Sequence, residues 1–168
     1  MLFKAQGGTA LDSSRYHLLP ADLRVPPTEI LAPLLGSILS PTAPTLLLCE
    51  CILVYMSPSV SSALIQWFRD FFAQGILGGI VYEMFGLKDS FGRVMVDNLK
   101  VKLFRIISLL HLSSIRCQAR NVTLPGAEPY PDFNSLPTRF LNLGFSMSRA
   151  HTLRQIRTNY IERAELER

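Results

Sequence analysis

The sequence predicts an α/β fold with a mainly parallel sheet, on three observations. Residues 45–56 (TLLLCECILVYM) form a continuous apolar run carrying one charge, as expected of a strand covered on both faces in a parallel sheet. An amphipathic helical pattern follows from Ser57, and residues 79–85 (GIVYEMF) supply a second β-rich run. A further helical pattern after Asp89 completes the order strand, helix, strand, helix, which is the signature of α/β architecture.

The remaining elements can be justified in turn. Residues 15–23 (RYHLLPADL) read as a short strand interrupted near Pro20. Pro26, Pro27, Pro33, Pro41 and Pro44 then punctuate a connector with room for one or two helical turns. Ser57 is a capping residue with Pro58 at the first helical position, and Val60, Ala63, Leu64, Trp67, Phe68, Phe71 and Phe72 make one apolar stripe that Gly75 can end. Strands 45–55 and 79–85 are thus expected to pair in parallel through a right-handed crossover over residues 57–73. Asp89 or Ser90 caps the next helix, where Phe91, Met95 and Leu99 recur every four residues. A proline-rich loop over residues 121–133 leads to a helix at 135–143 and a strand start at Gly144 and Phe145. From Thr152 a last amphipathic helix sets Leu153, Ile156, Tyr160 and Ile161 on one side.

Composition bounds the function. With 168 residues, 48% hydrophobic and 18% charged, the chain suits one globular domain or part of one. Its net charge of +4 is scattered except over residues 149–168, where Glu162, Glu165 and Glu167 sit among the arginines, so a nucleic-acid partner is not expected. The longest apolar runs fall short of the ~18 residues that span a membrane, and they are broken by Glu50, Arg105 and His111. The first residues, MLFKAQGG, lack the apolar core of a secretory signal, so a cytoplasmic location is expected. Cys49 and Cys51, two apart on the expected strand, point to opposite faces, Cys117 is distant, and the three histidines share no spacing; no metal site is implied. Glu50 stands out, because an acid within an apolar strand is costly to bury and needs a partner.

Five stretches in order carry a family resemblance: RYHLLPADLR at 15–24, TLLLCECILVYMSP at 45–58, GGIVYEMFGLKDSFGRVMVDNLK at 78–100, ARNVTLPGAEPYP at 119–131, and RFLNLGF through TLRQIRTNYI. An acid-bearing strand followed by Tyr-Met-Ser-Pro and then Tyr-Glu-Met-Phe-Gly is specific in combination. In these the chain resembles the leucine carboxyl methyltransferase family, in its C-terminal half. The resemblance implies a partial class I methyltransferase fold, a doubly wound sheet that holds S-adenosylmethionine outside the carboxyl ends of its strands. It also implies methyl transfer to the α-carboxylate of the C-terminal leucine of the protein phosphatase type 2A catalytic subunit, whose tail would be the partner.

Carried over by resemblance, Asp22 and Leu23 fall in the pair that holds the adenine, and Glu50 matches the acid of the cofactor site. A carboxylate at a strand end can accept charge-strengthened hydrogen bonds from the adenine amino group or from the methionine ammonium. Without the resemblance Asp22 reads as an ordinary turn residue. Tyr55, closing the same strand, is the candidate to face the methyl-accepting site, a core-edge tyrosine with a wet hydroxyl being the alternative. Glu83, Phe85, Phe91 and Arg93 are candidates for the peptide side, with capping and packing as the alternative.

The family's glycine-rich turn, the acid after its second strand and the bases that meet the acceptor are expected to be missing, as is a strand after the last helix. The strand at 15–23 is therefore expected to lack a sheet partner, and the edge of the strand at 45–56 to stand open. Poor binding of S-adenosylmethionine by the chain alone follows, and a noncatalytic protein-binding fragment is the alternative function. The family's relative that methylates a modified tRNA base is expected to carry a large extra β-rich domain, for which the sequence shows no pattern. Residues 101–118 (VKLFRIISLLHLSSIRCQ) interrupt the family-like passage and read as a foreign insert. Their 18 residues keep frame, every valine codon begins with GT, and one glutamine codon ends with AG, as an unspliced intron would require. Extension of the preceding helix is the alternative, since Leu99, Leu103, Ile106, Ile107 and Leu110 keep helical spacing.

Overall fold

The computed structural model describes residues 2–5, 8–99 and 123–167, with side chains from Leu11 onward. The insert reading for 101–118 lies outside the described residues. Strands β1 (Leu2–Ala5), β2 (Gly8–Asp12) and β3 (His17–Leu18) form an antiparallel sheet in that order, with Leu2 opposite Leu11 and Asp12 opposite His17. This corrects two expectations. The strand predicted at 15–23 is shorter and has a sheet partner, and antiparallel pairs outnumber the parallel one among the described strands. The links at 6–7 and 13–16 are too short for anything else, since parallel neighbours need a crossover of a dozen residues or more. At the second link the Ser13 hydroxyl accepts from the Tyr16 amide and donates to the Tyr16 carbonyl, both at 2.9 Å.

The connector holds one nine-residue helix, α1 (Pro27–Leu35), entered through a proline at its first position. Strand β4 (Thr45–Glu50) then pairs in parallel with β5 (Leu77–Tyr82), Thr45 opposite Leu77 and Glu50 opposite Tyr82, and α2 (Pro58–Phe71) makes the crossover. The parallel pairing expected from the sequence is present. Ser57 caps α2, its hydroxyl accepting from the Val60 amide at 3.4 Å, with Pro58 at the first helical position.

The run 45–56 is not one strand. Cys51 has φ 47°, a left-handed conformation unusual for a non-glycine residue, and the chain turns there into a single 3-10 turn, Leu53–Tyr55. The driving force is burial: the turn places Leu53 and Val54 wholly inside, which a continuing strand would not. Leu31, Cys49, Leu53, Met56, Leu64 and Ile65 form the core, with Leu23, Leu47, Trp67, Phe68 and Val81 packed against it. Only this side of β4 is covered among the described residues. Leu46 and Leu48, expected to be buried, are 63% and 65% exposed, because α1 and α2 lie on the Leu47 and Cys49 side.

After β5, α3 (Ser90–Leu99) is capped by Asp89, whose carboxylate accepts from the Gly92 amide at 2.6 Å. Met95 and Leu99 are half-buried while Phe91 is exposed. Helix α4 (Ser135–Leu141) begins where Asp132 accepts from the Ser135 amide at 2.9 Å. The strand start expected at Gly144 and Phe145 is instead a turn, with Gly144 at φ 88° and the Phe145 amide returned to the Phe140 carbonyl at 3.2 Å. Helix α5 (Leu153–Tyr160) carries a Thr152 and Gln155 capping box, and α6 (Arg163–Leu166) follows; neither has a buried residue.

Candidate functional site

The carboxyl end of β4 and β5 gathers the residues of interest. Glu50 is the last residue of β4 and lies in register with Tyr82, the last of β5. The next amide, that of Cys51, donates to the Tyr82 carbonyl at 2.8 Å, so the pairing holds to the point where the chain turns. Glu50 is exposed, so it carries no burial cost and needs no partner inside the protein, contrary to the expectation for an acid in a covered strand. Tyr55 sits on the 3-10 turn and not on the strand, and is 47% exposed. Both therefore face solvent from adjoining segments.

Asp22 and Leu23 lie in the turn between β3 and α1. The Asp22 carboxylate takes Arg24 in a fork, Nε at 2.8 Å and Nη2 at 2.7 Å, and also accepts the Arg24 amide at 3.0 Å. The Arg24 guanidinium and amide hold the Asp22 pKa down at about 2, so the group stays ionised. Any donor from a ligand must share Asp22 with Arg24 or displace it. Leu23 is partly buried and packs on the core cluster, of which Cys49, the neighbour of Glu50, is a member. Two solvent-facing acids and a leucine packed on the core are residue types that suit a ligand with amino groups and an apolar ring. In that chemical sense the residues fit S-adenosylmethionine.

Of the residues considered for the peptide side, the structure gives three a local role. Phe85 meets Phe133 with ring centroids 6.0 Å apart, and Arg93 donates to the Lys88 carbonyl at 3.1 Å. Glu83 is turned inward. Its side chain is 9% exposed, and its carboxylate accepts from Arg139 of α4, itself 2% exposed, at 3.2 Å. Burial pushes the Glu83 pKa up, against the pull of Arg139 and of the Val54 backbone. The same surroundings raise the Cys49 thiol, chiefly by burial and then through the Glu83 charge. The Arg139 guanidinium also lies over the Tyr130 ring, 5.1 Å from its centre. Sequence reasoning missed this pair because its members are separated by 56 positions and Arg139 falls in an ordinary helix.

A second feature escaped the sequence. The Gly126 amide donates to the Val54 carbonyl at 3.0 Å, and a β-carbon at Gly126 would lie 2.3 Å from the Leu53 carbonyl oxygen. Glycine lets the 123–131 loop reach the backbone of the turn that carries Tyr55. A concavity of about 360 Å³ lies between this loop and the segment after β5, lined by Gly86, Leu87, Val96, Leu124, Pro125 and Pro131 with Lys88 and Glu128. Among the described residues no group of His, Cys, Asp and Glu could hold a metal ion, and no helix is long and apolar enough to cross a membrane.

A parallel β-α-β unit with acids and aromatic residues at its carboxyl end makes this a mixed α/β protein, and β-α-β is the unit of open α/β folds, in which ligands bind beyond the strand ends. The family model described as "Leucine carboxyl methyltransferase" matches residues 3–69. The chain is 38% identical over 176 residues to Leucine carboxyl methyltransferase 1 of Cryptococcus neoformans var. neoformans serotype D (strain JEC21 / ATCC MYA-565), covering 98% of this chain and 44% of that protein. It is 33% identical over 121 residues to Leucine carboxyl methyltransferase 1 of Bos taurus, covering 72% and 36%. It is also 32% identical over 158 residues to tRNA wybutosine-synthesizing protein 4 of Rattus norvegicus, covering 94% and 20%. This chain belongs to the leucine carboxyl methyltransferase family. It spans less than half the length of the relatives it matches.

Proposed function

We propose that this chain carries part of the cofactor site of an S-adenosylmethionine-dependent leucine carboxyl methyltransferase of class I fold. The protein it serves esterifies the α-carboxylate of a C-terminal leucine on a protein substrate, for which the resemblance points to the protein phosphatase type 2A catalytic subunit in the cytoplasm. The observation that carries the proposal is the exposed acid Glu50 at the carboxyl end of β4, register partner of Tyr82 on a parallel neighbour. Family membership supports it. So does the name leucine carboxyl methyltransferase 1, borne by relatives across fungi and mammals.

S-adenosylmethionine, when bound, supplies an electrophilic methyl group. Glu50, Asp22 and Leu23 are the residues that would hold it, the acids accepting from its amino groups and Leu23 offering an apolar contact beside the ring. The acceptor carboxylate is ionised at neutral pH, so attack needs no general base from the chain. The task left to the protein is orientation, which contributes up to ~7–11 kcal/mol in well-aligned systems. Tyr55, exposed on the 3-10 turn that follows β4, would border the acceptor side with a hydroxyl able to donate to an oxygen of the carboxylate.

The test is a hybrid in which the stretch of the Cryptococcus relative that aligns with this chain is replaced by the chain. The hybrid is expected to bind S-adenosylhomocysteine and to transfer a labelled methyl group to a peptide ending in a free leucine, but not to its amide. Glu50→Ala should weaken that binding about tenfold or more, as loss of a charge-assisted hydrogen bond would. A folded hybrid that binds no S-adenosylhomocysteine overturns the proposal.

A further inference from the structure

The Glu83 and Arg139 pair has an unusual cost. Two opposite charges are removed from water, yet among the described residues Glu83 Oε1 and Arg139 Nε and Nη2 are buried without hydrogen-bond partners. A buried pair so incompletely satisfied is a poor source of stability, and well-packed apolar side chains would serve a core at least as well. What an apolar pair cannot supply is direction: the one hydrogen bond between the charges, from Arg139 Nη1 to Glu83 Oε2 at 3.2 Å, ties a defined atom of α4 to a defined atom at the end of β5.

The parts joined by this pair are the parts that build the candidate site. Glu83 directly follows Tyr82, the register partner of Glu50. The Val54 backbone favours the ionised carboxylate of Glu83, and Val54 precedes Tyr55 in the 3-10 turn. Cys49, one residue before Glu50, lies in the field of both charges. From the other side, Arg139 of α4 covers Tyr130, and the loop holding Tyr130 also holds Gly126, whose amide caps the Val54 carbonyl. The end of β5, the turn after β4, the 123–131 loop and α4 thus converge on one ion pair.

We infer that Glu83 and Arg139 are positioning residues: their buried ion pair locks the Leu53–Tyr55 turn to the end of β5 and thereby fixes Tyr55 relative to Glu50. The inference deepens the proposed function and, in what the fixed geometry is for, rests on it. Neither residue touches substrate or cofactor. Both act through the turn and the strand end, where a displacement far smaller than a residue's length matters to a site that works by alignment.

The experiment compares Glu83→Gln/Arg139→Met, which removes both charges at similar volume, with Arg139→Lys, which keeps the charge and loses the planar guanidinium that bonds Glu83 and lies over Tyr130. In the chain itself, amide exchange is followed at Tyr55 and Met56, whose N–H groups donate to Ile52 and Leu53 carbonyls at 3.3 Å. In the hybrid, S-adenosylhomocysteine affinity is measured by calorimetry beside the melting temperature. The double variant is expected to melt near the parent, to exchange faster at Tyr55 and Met56, and to bind about tenfold or more weakly, with Arg139→Lys intermediate. Unchanged exchange and unchanged affinity in the folded double variant overturn the inference. If the double variant does not fold, Arg139→Lys decides by the same two readings. A parent hybrid that fails to bind refutes the proposed function alone, and the exchange measurement in the chain still decides whether the pair holds the turn.

Discussion

Removal of Arg139 alone leaves Glu83 as a buried carboxylate with no cation beside it, and the consequence can be worked out from the site. The two side chains are 2% and 9% exposed, so solvent screens the lost attraction little. Breaking one side of such a pair costs about 3–5 kcal/mol. In a domain of this size each kcal/mol lowers the melting temperature by about 2–4 °C, so Arg139→Met should melt about 6–20 °C below the parent. The penalty should also depend on pH in a defined direction. Burial raises the folded pKa of Glu83 above its ordinary 4.5, so the folded state holds this proton more tightly than the unfolded chain does. Stability from this group is present in full below 4.5 and is lost as pH rises through the folded value. In Arg139→Met the opposing pull of the cation is gone and the folded value rises further. The deficit measured by urea denaturation should therefore be largest at neutral pH and shrink at acidic pH, where the carboxyl takes up a proton. Glu83→Gln placed in the Arg139→Met background should recover most of the loss at neutral pH. A deficit that is the same at both pH values, or no recovery with Glu83→Gln, would refute the reasoning.

Two further outcomes follow from local geometry. Ser57→Ala should lower the urea midpoint by the equivalent of about 1 kcal/mol, since it leaves the Val60 amide without its cap, while Ser57→Asp keeps the parent midpoint. Asp22 titrates at about 2 because of Arg24, so its contribution to stability is present above the ordinary value of 3.8 and lost as pH falls through about 2. Arg24→Gln should return the Asp22 midpoint, read from its carboxyl carbon by NMR, toward 3.8; a midpoint that stays near 2 would show that Arg24 is not the cause.

The β-α-β unit was legible because every signal for it is local. The apolar run of β4, the Ser57 and Pro58 start of α2, its helical stripe, and the Asp89 cap of α3 each depend on residues within a few positions of one another. The motif around Glu50 was legible for the same reason: an acid in an apolar run is visible without knowing what lies beside it. By itself, then, the sequence determined the existence and order of these elements, the family, and the acids worth considering.

Tertiary structure decided where those elements stop and what their residues face. The run 45–56 has strand character throughout, yet it breaks at Cys51 because burying Leu53 and Val54 against α2 and the 123–131 loop outweighs the cost of one left-handed residue. Gly144, which follows a helix pattern and precedes a β-prone phenylalanine, becomes a left-handed turn because the Phe145 amide finds its acceptor in the last turn of α4. Leu46 and Leu48 have the same apolar character as Leu47, and only the side on which α1 and α2 lie separates exposed from covered. Glu83 and Arg139 could not be paired from the sequence at all. Glu83 sits in an apolar run as Glu50 does, and nothing in those runs says that one is buried and the other exposed; the partner that makes burial of Glu83 tolerable arrives only when α4 packs against the end of β5.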